Sequence, residues 1–334
     1  MIIKVGTFNL NNLFSRFNFS GAIEALVSGK STSAMTFSYE FSEHDFKVRT
    51  SLGKLVKGKP VKDTLQIAER ISRIDLDVLA VQEVEDIDVL KSFNKEHLNG
   101  VYPHVVLIEG NDPRFIDITL LSKYPLGAIT SFQTAVHRDN PQERVFSRDL
   151  LEVEILDKSR SKKLLTIYNN HLKSHFGDEI SQKETASNAL RRKQQAETIS
   201  EIVSKRMRVD EKFLITGDMN DGIDASPLAP LLSINNQPLF NGLSNPEETR
   251  SAKPETDGST PKNKAWTHRY KVSGKSPEYY LFDRLHQHCP CGYPSPSKFA
   301  CSPITGVVSE SNVNTTRSTI LHACITFYCL SKCS

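Results

Sequence analysis

The stretch Lys212–Asp221, KFLITGDMND, combines the features of a buried strand with those of a chemical site. Phe213–Thr216 is a short apolar run that ends on β-branched residues, which is typical of a buried strand. Gly217 lets the backbone turn without a Cβ clash, and Asp218 and Asn220 follow at once. Acidic and amide side chains are therefore presented where the strand ends. Because Gly, Asp and Asn are also common turn residues, an ordinary loop is the alternative interpretation.

Other polar residues stand at the ends of predicted strands in the same way. Asn9 closes the first strand, Glu83 closes the run LAVQE, and His171 closes TIYNNH. Asp283 lies within YYLFDRL, among apolar neighbours. Each has an ordinary explanation when taken alone: a turn former, a solvated carboxylate, a structural histidine or an ion pair. Collected at one edge of a sheet, they would form a cleft of carboxylates, amides and an imidazole.

Hydrolysis of a phosphoester is the chemistry that such a cleft suits. A hard cation such as Mg²⁺ prefers oxygen ligands, typically one or two carboxylates with water and substrate phosphate. The cation offsets charge on the phosphoryl oxygens and steadies the leaving oxygen. A carboxylate can orient and deprotonate the attacking water, and amides can donate to non-bridging oxygens.

The elements that must position these residues follow from hydrophobic periodicity and turn signals. Strands are predicted at 2–10, 76–84, 105–109, 116–122, 148–156, 164–171, 213–216, 266–270 and 278–285, and helices at 63–74, 88–97, 179–207 and 227–232. Asp63 is the predicted cap of the first helix, and Leu65 and Leu190 are assigned to the inner faces of the first and third. Residues 16–60 have little periodicity and are interpreted as a long insertion. Strands interleaved with helices favour one mixed α/β domain, with sheets inside and helices outside.

Composition restricts the function less than the motifs do. The net charge of +3 over 334 residues is near neutral, so nothing demands a nucleic-acid partner, although a cleft can still be locally basic. The first residues lack the pattern of a signal peptide, and no apolar run approaches the length of a membrane span. We therefore expect a cytoplasmic protein without a membrane span.

Five motifs occur in order along the chain: TFNLNNLF (Thr7–Phe14), VQEVED (Val81–Asp86), LLSKYPL (Leu120–Leu126), NNHLKS (Asn169–Ser174) and TGDMND (Thr216–Asp221). They resemble the ordered motifs of the endonuclease/exonuclease/phosphatase superfamily, which includes pancreatic-type deoxyribonucleases, abasic-site endonucleases, inositol polyphosphate phosphatases and neutral sphingomyelinases. The resemblance covers residues 1–286. It implies a four-layered α/β/β/α sandwich of two packed mixed sheets flanked by helices, and a phosphoesterase that uses Mg²⁺ or Mn²⁺.

The same resemblance assigns roles residue by residue. Glu83 would be the principal metal ligand with Asn9 beside it, and His171 would contact the scissile phosphate. Asp218 would orient or deprotonate the water, and Asn220 would hold a phosphoryl oxygen. Asp283 matches an acid that helps to order the active-site histidine. The basic residues beside the matched motifs are weaker candidates for phosphate contact; they are Arg114, Arg148 and Lys173.

The end of the chain departs from the family pattern. The family closes with a Ser-Asp-His turn before its final strand, and no such turn follows Asp283. All six cysteines lie from Cys289 onward. His322 is the nearest stand-in for the missing histidine, with Leu321 where the aspartate should be. We divide the chain into a catalytic domain, 1–286, and a divergent Cys-rich tail, 287–334, which a shifted reading frame or a replaced terminus would explain.

The sequence thus predicts a nuclease-like, metal-dependent phosphodiesterase that works by direct attack of water. Its expected partner is a phosphodiester substrate, with nucleic acid as one class. Two alternatives stay open: a phosphatase or phospholipase C-type hydrolase that acts on a small phosphoester, and a catalytically impaired remnant that lacks the closing Asp-His.

Overall fold

Two β-sheets form the centre of the protein in the computed structural model. The structure describes residues 2–14, 59–112, 114–175, 181–208, 211–222 and 225–241, together with the backbone of four further strands. The strands are β1 (Ile2–Leu13), β2 (Val78–Val84), β3 (His104–Leu107), β4 (Asp117–Ser122), β5 (Leu126–Ser131), β6 (Val136–His137), β7 (Asn140–Arg144), β8 (Leu150–Leu156), β9 (Lys163–His171), β10 (Phe213–Asp218), β11 (Ser233–Ile234), β12 (Gln237–Pro238), β13 (Phe240–Asn241), β14 (His268–Tyr270), β15 (Glu278–Tyr280), β16 (Asp283–His288) and β17 (Ala323–Tyr328).

Both large sheets mix parallel and antiparallel neighbours. The first has the order β17-β1-β2-β4-β3, and the second has the order β13-β16-β10-β9-β8-β5. Within them, β1 runs parallel to β2 and β10 runs parallel to β9, while the other pairs are antiparallel. The carboxyl ends of β1 and β2 therefore meet at one edge, as do those of β9 and β10.

Helices cover the outer faces of the two sheets. They are α1 (Val61–Ile74), α2 (Ile87–His97), α3 (Gln182–Arg206) and a short 3₁₀ helix at Ser226–Leu231. Side chains cap two of them, because Asp86 accepts a hydrogen bond from the Val89 N–H and Ser181 accepts one from the Glu184 N–H. This satisfies backbone donors that a helix start leaves unpaired.

Three apolar clusters hold four layers together. One lies between the sheets and includes Ile3, Val78 and Leu214. A second packs α1 and α2 on the first sheet, and a third packs α3 on the second sheet, through Ile199 and Phe213. The arrangement confirms the predicted sandwich of two mixed sheets with flanking helices.

Local details of the helices differ from the prediction. Helix α1 begins at Val61 without a side-chain cap, so Asp63 lies in its first turn and is not its cap. Leu65 and Leu190 are exposed, although both were assigned to inner faces. In α3 the buried positions of the first half are polar, at Asn188, Arg192 and Gln195. Apolar periodicity therefore misplaced the inner face of that half.

A strand from the tail completes the first sheet. Strand β17 pairs antiparallel with β1, from Ile2 opposite Tyr328 to Thr7 opposite Ala323. His322 lies outside the described residues, and the division at residue 286 stays a prediction. Within the part of the chain that is described, no helix is both long enough and apolar enough to cross a membrane.

Candidate active site

On four strands, the side chains that face the other sheet change from apolar to polar toward the carboxyl end of the strand. Side chains alternate between the faces of a strand, so on β1 the residues Ile3, Val5, Thr7 and Asn9 share the face toward the other sheet. Corresponding rows run through β2, β9 and β10 as Val78-Ala80-Gln82, Leu165-Ile167-Asn169-His171 and Leu214-Thr216-Asp218. The apolar members form the core between the sheets, and the polar members converge at the carboxyl ends of all four strands.

A pair of buried amides joins the sheets just below that edge. Gln82 Nε2 donates to Asn169 Oδ1 at 2.8 Å, and Asn169 Nδ2 donates to the Thr119 carbonyl oxygen at 2.8 Å. Thr7 Oγ1 also accepts from Gln82 Nε2 at 3.0 Å. All three side chains are buried. This network fixes the distance between the sheets directly beneath the candidate site.

Asn9 connects the two carboxylates at the edge. Its Nδ2 donates to Glu83 Oε1 at 3.1 Å and, across the sheets, to Asp218 Oδ2 at 2.9 Å. Its Oδ1 accepts from the backbone N–H of Asn11 at 2.8 Å. The amide nitrogen therefore faces the carboxylates, and Asn9 could offer its oxygen to a cation only after its amide turned over.

A bulge brings Glu83 to this edge. Strict alternation would turn Glu83 away from the inner row that contains Gln82, but the register of β2 shifts between Gln82 and Val84 against β4. The backbone of Glu83 has φ of 63°, a conformation that residues other than glycine adopt rarely. The Asn12 N–H donates to its Oε2 at 3.0 Å. The strained backbone therefore belongs to the residue that the family resemblance assigns to the metal.

His171 lies close to both carboxylates: Asp218 is its neighbour on the adjacent strand of the same sheet, and Glu83 belongs to the other sheet. Its Nε2 is 3.7 Å from Asp218 Oδ2 and 4.0 Å from Glu83 Oε1. The imidazole is buried, and its Nδ1 has no hydrogen-bond partner among the described residues. A buried nitrogen without a partner is costly, and such groups are common where a ligand or substrate completes the site.

The turn after β10 is fixed to the end of β9. Asp218 Oδ1 accepts from the Asn220 N–H at 2.9 Å, and Asn220 has φ of 51°. Asn220 Nδ2 donates to the Leu172 carbonyl oxygen at 3.1 Å, while the Leu172 N–H donates to the Asp218 carbonyl oxygen at 3.0 Å. Asn220 thus lies beside both His171 and Asp218.

Burial controls the charges of the site. It raises the pKa of Glu83 and of Asp218 above their ordinary values, although the hydrogen bonds from Asn9 act in the opposite direction. Burial also lowers the pKa of His171 well below its ordinary value, and the charges of Arg148 and Arg114 act in the same direction. His171 is therefore a neutral imidazole near neutral pH. The charge of Arg148 lowers the pKa of both carboxylates, but burial raises it more.

The two candidate arginines share one carboxylate. Arg114 donates to Asp112 from Nε at 2.9 Å and from Nη2 at 2.8 Å, and its side chain is largely exposed. Arg148 is buried, with Nε 3.4 Å from Asp112 Oδ2 and Nη1 3.5 Å from the Leu172 carbonyl oxygen. Despite burial, the pKa of Asp112 is lowered by these hydrogen bonds and charges. The side chain of Arg114 therefore lies at the surface, whereas that of Arg148 lies in the interior.

The other two predicted residues, Lys173 and Asp283, lie on segments next to the site. Lys173 follows the His171 strand, and its Nζ donates to the Ser174 carbonyl oxygen at 3.3 Å. Asp283 pairs with Asp218 in the antiparallel register of β16 and β10, so its backbone lies beside the edge. The side chain of Asp283 lies outside the described residues.

Three residues near the site escaped the sequence analysis. Lys59 was assigned to the insertion, yet its N–H donates to the Phe14 carbonyl oxygen at 3.1 Å. Burial lowers the pKa of Lys59, and the charge of Glu83 acts on it in the opposite direction. Arg192 and Gln195 of α3 contact the loops that follow β9 and β10. The polar residues Arg192 and Gln195 lie three positions apart on α3, which is the spacing of one helix face. The sequence analysis instead assigned the inner face of α3 from its apolar residues.

The donor set suits a cation that keeps much of its water. No group of three or more His, Cys, Asp or Glu side chains arranged to hold a metal occurs among the residues that the structure describes. Mg²⁺ typically binds one or two carboxylates, with water and phosphate oxygens completing its shell. Glu83 would supply the carboxylate for such a cation, and Asp218, which accepts from the same amide nitrogen, would lie beside the water that the cation keeps. These residues therefore fit Mg²⁺ or Mn²⁺.

Comparison with known proteins identifies the family of the chain. Residues 58–246, more than half of the chain, match the model of a family described as the endonuclease/exonuclease/phosphatase family. No curated protein matches the sequence.

Solved structures of other proteins are similar over nearly the whole chain. A humanized D. rerio TDP2 with 14 mutations has a TM-score of 0.51 and 13% identity, covering 98% of this chain and 99% of that one. The mannosyl-6-phosphatase Bt3783 of Bacteroides thetaiotaomicron VPI-5482 has a TM-score of 0.51 and 13% identity, covering 97% and 98%. SmcL has a TM-score of 0.51 and 15% identity, covering 98% of each. At these identities the likeness concerns the fold.

Proposed function

The chain belongs to the endonuclease/exonuclease/phosphatase family, and we propose that it hydrolyses phosphodiester bonds with Mg²⁺ or Mn²⁺, in the manner of a nuclease. One observation carries the proposal: the Asn9 amide joins Glu83 of one sheet to Asp218 of the other, with His171 within 4.0 Å of both. An apolar core has no need of two carboxylates and an imidazole at one point.

The cation would be held by Glu83, with Asn9 beside it, and would offset charge on the phosphoryl oxygens and steady the leaving oxygen. Asn9 already positions both carboxylates through its Nδ2. It would act as an oxygen ligand only with its amide turned over. In the observed orientation its Nδ2 sets the separation of Glu83 and Asp218.

Asp218 is the proposed base. Burial raises the pKa of Asp218, which makes its carboxylate a better proton acceptor near neutral pH. Water attacks phosphorus as Asp218 takes its proton, one phosphorus–oxygen bond forms and the bond to the leaving oxygen breaks. The proton that Asp218 accepts balances the one that the leaving alcohol acquires from solvent, and no covalent enzyme intermediate is needed.

The remaining residues would hold the phosphate. His171 is neutral and buried beside both carboxylates, so it can donate a hydrogen bond to a phosphoryl oxygen. Asn220 would hold a second oxygen, and Arg114, Arg148 and Lys173 would supply positive charge around the substrate. Asp283 would help to order the histidine, from the strand paired with β10.

Hydrolysis of bis-p-nitrophenyl phosphate with Mn²⁺ tests the proposal. We expect turnover by the unaltered chain and its loss in Glu83→Ala and His171→Ala, with Glu96→Ala on the exposed face of α2 as a matched control. Turnover by Glu83→Ala equal to that of the unaltered chain would exclude the proposal. Mn²⁺ binding without turnover in any variant would instead indicate the impaired remnant that the altered terminus suggests.

A small phosphoester is the second candidate substrate, because the net charge of +3 is low for a nucleic-acid binder. Binding of a polyanion weakens steeply with salt. An affinity for single-stranded or duplex DNA that falls steeply as the salt concentration rises would favour the nuclease. Turnover that is independent of salt, on monoesters or headgroup esters, would favour the phosphatase or phospholipase C-type activity.

A further inference from the structure

Arg192 is a fully charged side chain in the interior of the protein. It lies on the buried face of α3 and is 2% exposed. A buried charge is costly unless it is paired and its donors are satisfied. Nothing in the proposed chemistry uses this residue, so its contacts must explain why it is there.

The guanidinium of Arg192 contacts two loops at once. Its Nε donates to Asp221 Oδ2 at 3.0 Å, in the loop after β10. Its Nη1 donates to the Lys173 carbonyl oxygen at 3.2 Å, and its Nη2 donates to Nδ1 of His175 at 3.4 Å, both in the loop after β9. The planar fork of an arginine can make such a set of contacts, whereas a lysine ammonium offers no fixed geometry.

Those two loops begin at the proposed catalytic residues. Lys173 is two positions after His171, and Asp221 is three positions after Asp218 and next to Asn220. Gln195, one turn along α3, adds a contact by accepting from the Lys173 N–H at 2.8 Å. It also donates from Nε2 to the Val145 carbonyl oxygen at 3.1 Å, which anchors it in the interior.

We propose that Arg192 is a positioning residue that fixes the loops after β9 and β10 to α3, and thereby sets His171 against Asp218 and Asn220. This role rests on the proposed function. Because displacement of a reacting group by about 1 Å can cost about 100-fold in rate, loosening these loops should lower turnover. Glu83 and Asn9 belong to the other sheet, so the affinity for Mn²⁺ should stay unchanged.

Arg192→Lys is the test, with Arg191→Lys as its control. Arg191 is the next residue on α3, but it donates to the Arg144 carbonyl oxygen and lies 3.9 Å from Glu143, away from both loops. We expect Arg192→Lys to lower kcat about 10-fold or more, with the KM and the Mn²⁺ affinity unchanged. Arg191→Lys should leave all three unchanged.

Hydrogen exchange measures the loops without any turnover. The backbone amides of Lys173 and Gly222 both donate within this cluster, to Gln195 and to Asp221 Oδ1. Their exchange should be faster in Arg192→Lys and not in Arg191→Lys. Asp221→Asn, which keeps the shape and removes the charge, provides a second variant if Arg192→Lys does not fold.

The outcomes separate the two proposals. Exchange and kcat both unchanged in Arg192→Lys would overturn the role of Arg192, as would faster exchange with unchanged kcat. A fall in Mn²⁺ affinity that matches the fall in kcat would also overturn it, since a general loss of structure would then be the cause. If the unaltered chain hydrolyses nothing, the proposed function fails. Hydrogen exchange then still tests Arg192: unchanged exchange in both Arg192→Lys and Asp221→Asn would show that Arg192 does not fix the loops.

Discussion

Gly217 and the Asn170 carbonyl oxygen are so close that a Cβ on Gly217 would lie 1.9 Å from that oxygen. Gly217 also has φ of 134°, outside the range that other residues adopt readily. The pair lies between β9 and β10, directly before Asp218. The turn that presents the proposed base therefore depends on the absence of a side chain.

Gly217→Ala should destabilise the protein by about 3 kcal/mol or more, since a clash with backbone and an unfavourable φ act together. Urea unfolding followed by circular dichroism measures this. Gly222→Ala is the matched control, because a Cβ there would meet nothing within 4 Å. Equal stability of the two variants would show that β9 and β10 are not packed as described.

Glu83→Gln should weaken Mn²⁺ binding by about 10- to 100-fold or more, because even residues that only support a metal ligand typically contribute that much. Glutamine keeps the size of the side chain and removes its charge. Electron paramagnetic resonance of free Mn²⁺ gives the affinity. Glu96→Gln on α2 should bind as the unaltered chain does, and the same affinity in both variants would remove Glu83 from the metal site.

Asp149 should make stability depend on pH. Its carboxyl accepts from the Phe132 N–H at 2.8 Å, and burial raises the pKa of Asp149 from 3.8 to about 6. The folded protein therefore favours the neutral carboxyl. The contribution of Asp149 to the free energy of unfolding is therefore fully present below about pH 4. It falls as the pH rises and is lost above about pH 6.

Asp149→Asn should remove that loss. The free energy of unfolding of this variant, relative to the unaltered chain, should increase by about 3 kcal/mol between pH 4 and pH 7, which chemical unfolding across that range can follow.

Asp157 is the opposite case, because a hydrogen bond from Ser159 and others from its loop lower the pKa of Asp157. Asp157→Asn should lose stability relative to the unaltered chain as the pH rises. A flat difference for Asp149→Asn would contradict the described burial.

Gln82 and Asn169 should be coupled. Replacing Gln82 by leucine leaves Asn169 Oδ1 without its donor, which costs about 1–3 kcal/mol for a buried polar group. Asn169→Leu instead removes the acceptor of Gln82 Nε2, and the double variant leaves neither partner of that pair behind. A double-mutant cycle should therefore show that the two losses are not additive. Additive losses would mean that this bond does not join the sheets.

The amino-acid sequence determined which residues could do chemistry and the type of fold that presents them. Strand periodicity is local, so the apolar rows that end in Asn9, His171 and Asp218 could be recognised, and the motifs that include Glu83 indicated the family. The order of strands and helices gave the layers, because each apolar face must be covered. These features depend only on neighbours along the chain.

Only the tertiary structure decided how the residues meet. Asn9 and Asp218 lie 209 positions apart in the chain, and no periodicity shows that one amide nitrogen contacts two carboxylates. The bulge that turns Glu83 toward the site arises from the register between strands. Arg192 was missed for the same reason. The sequence pattern of α3 predicts apolar residues on its inner face and polar residues on its outer face. That Arg192 is buried became recognisable only from its contacts with the two loops.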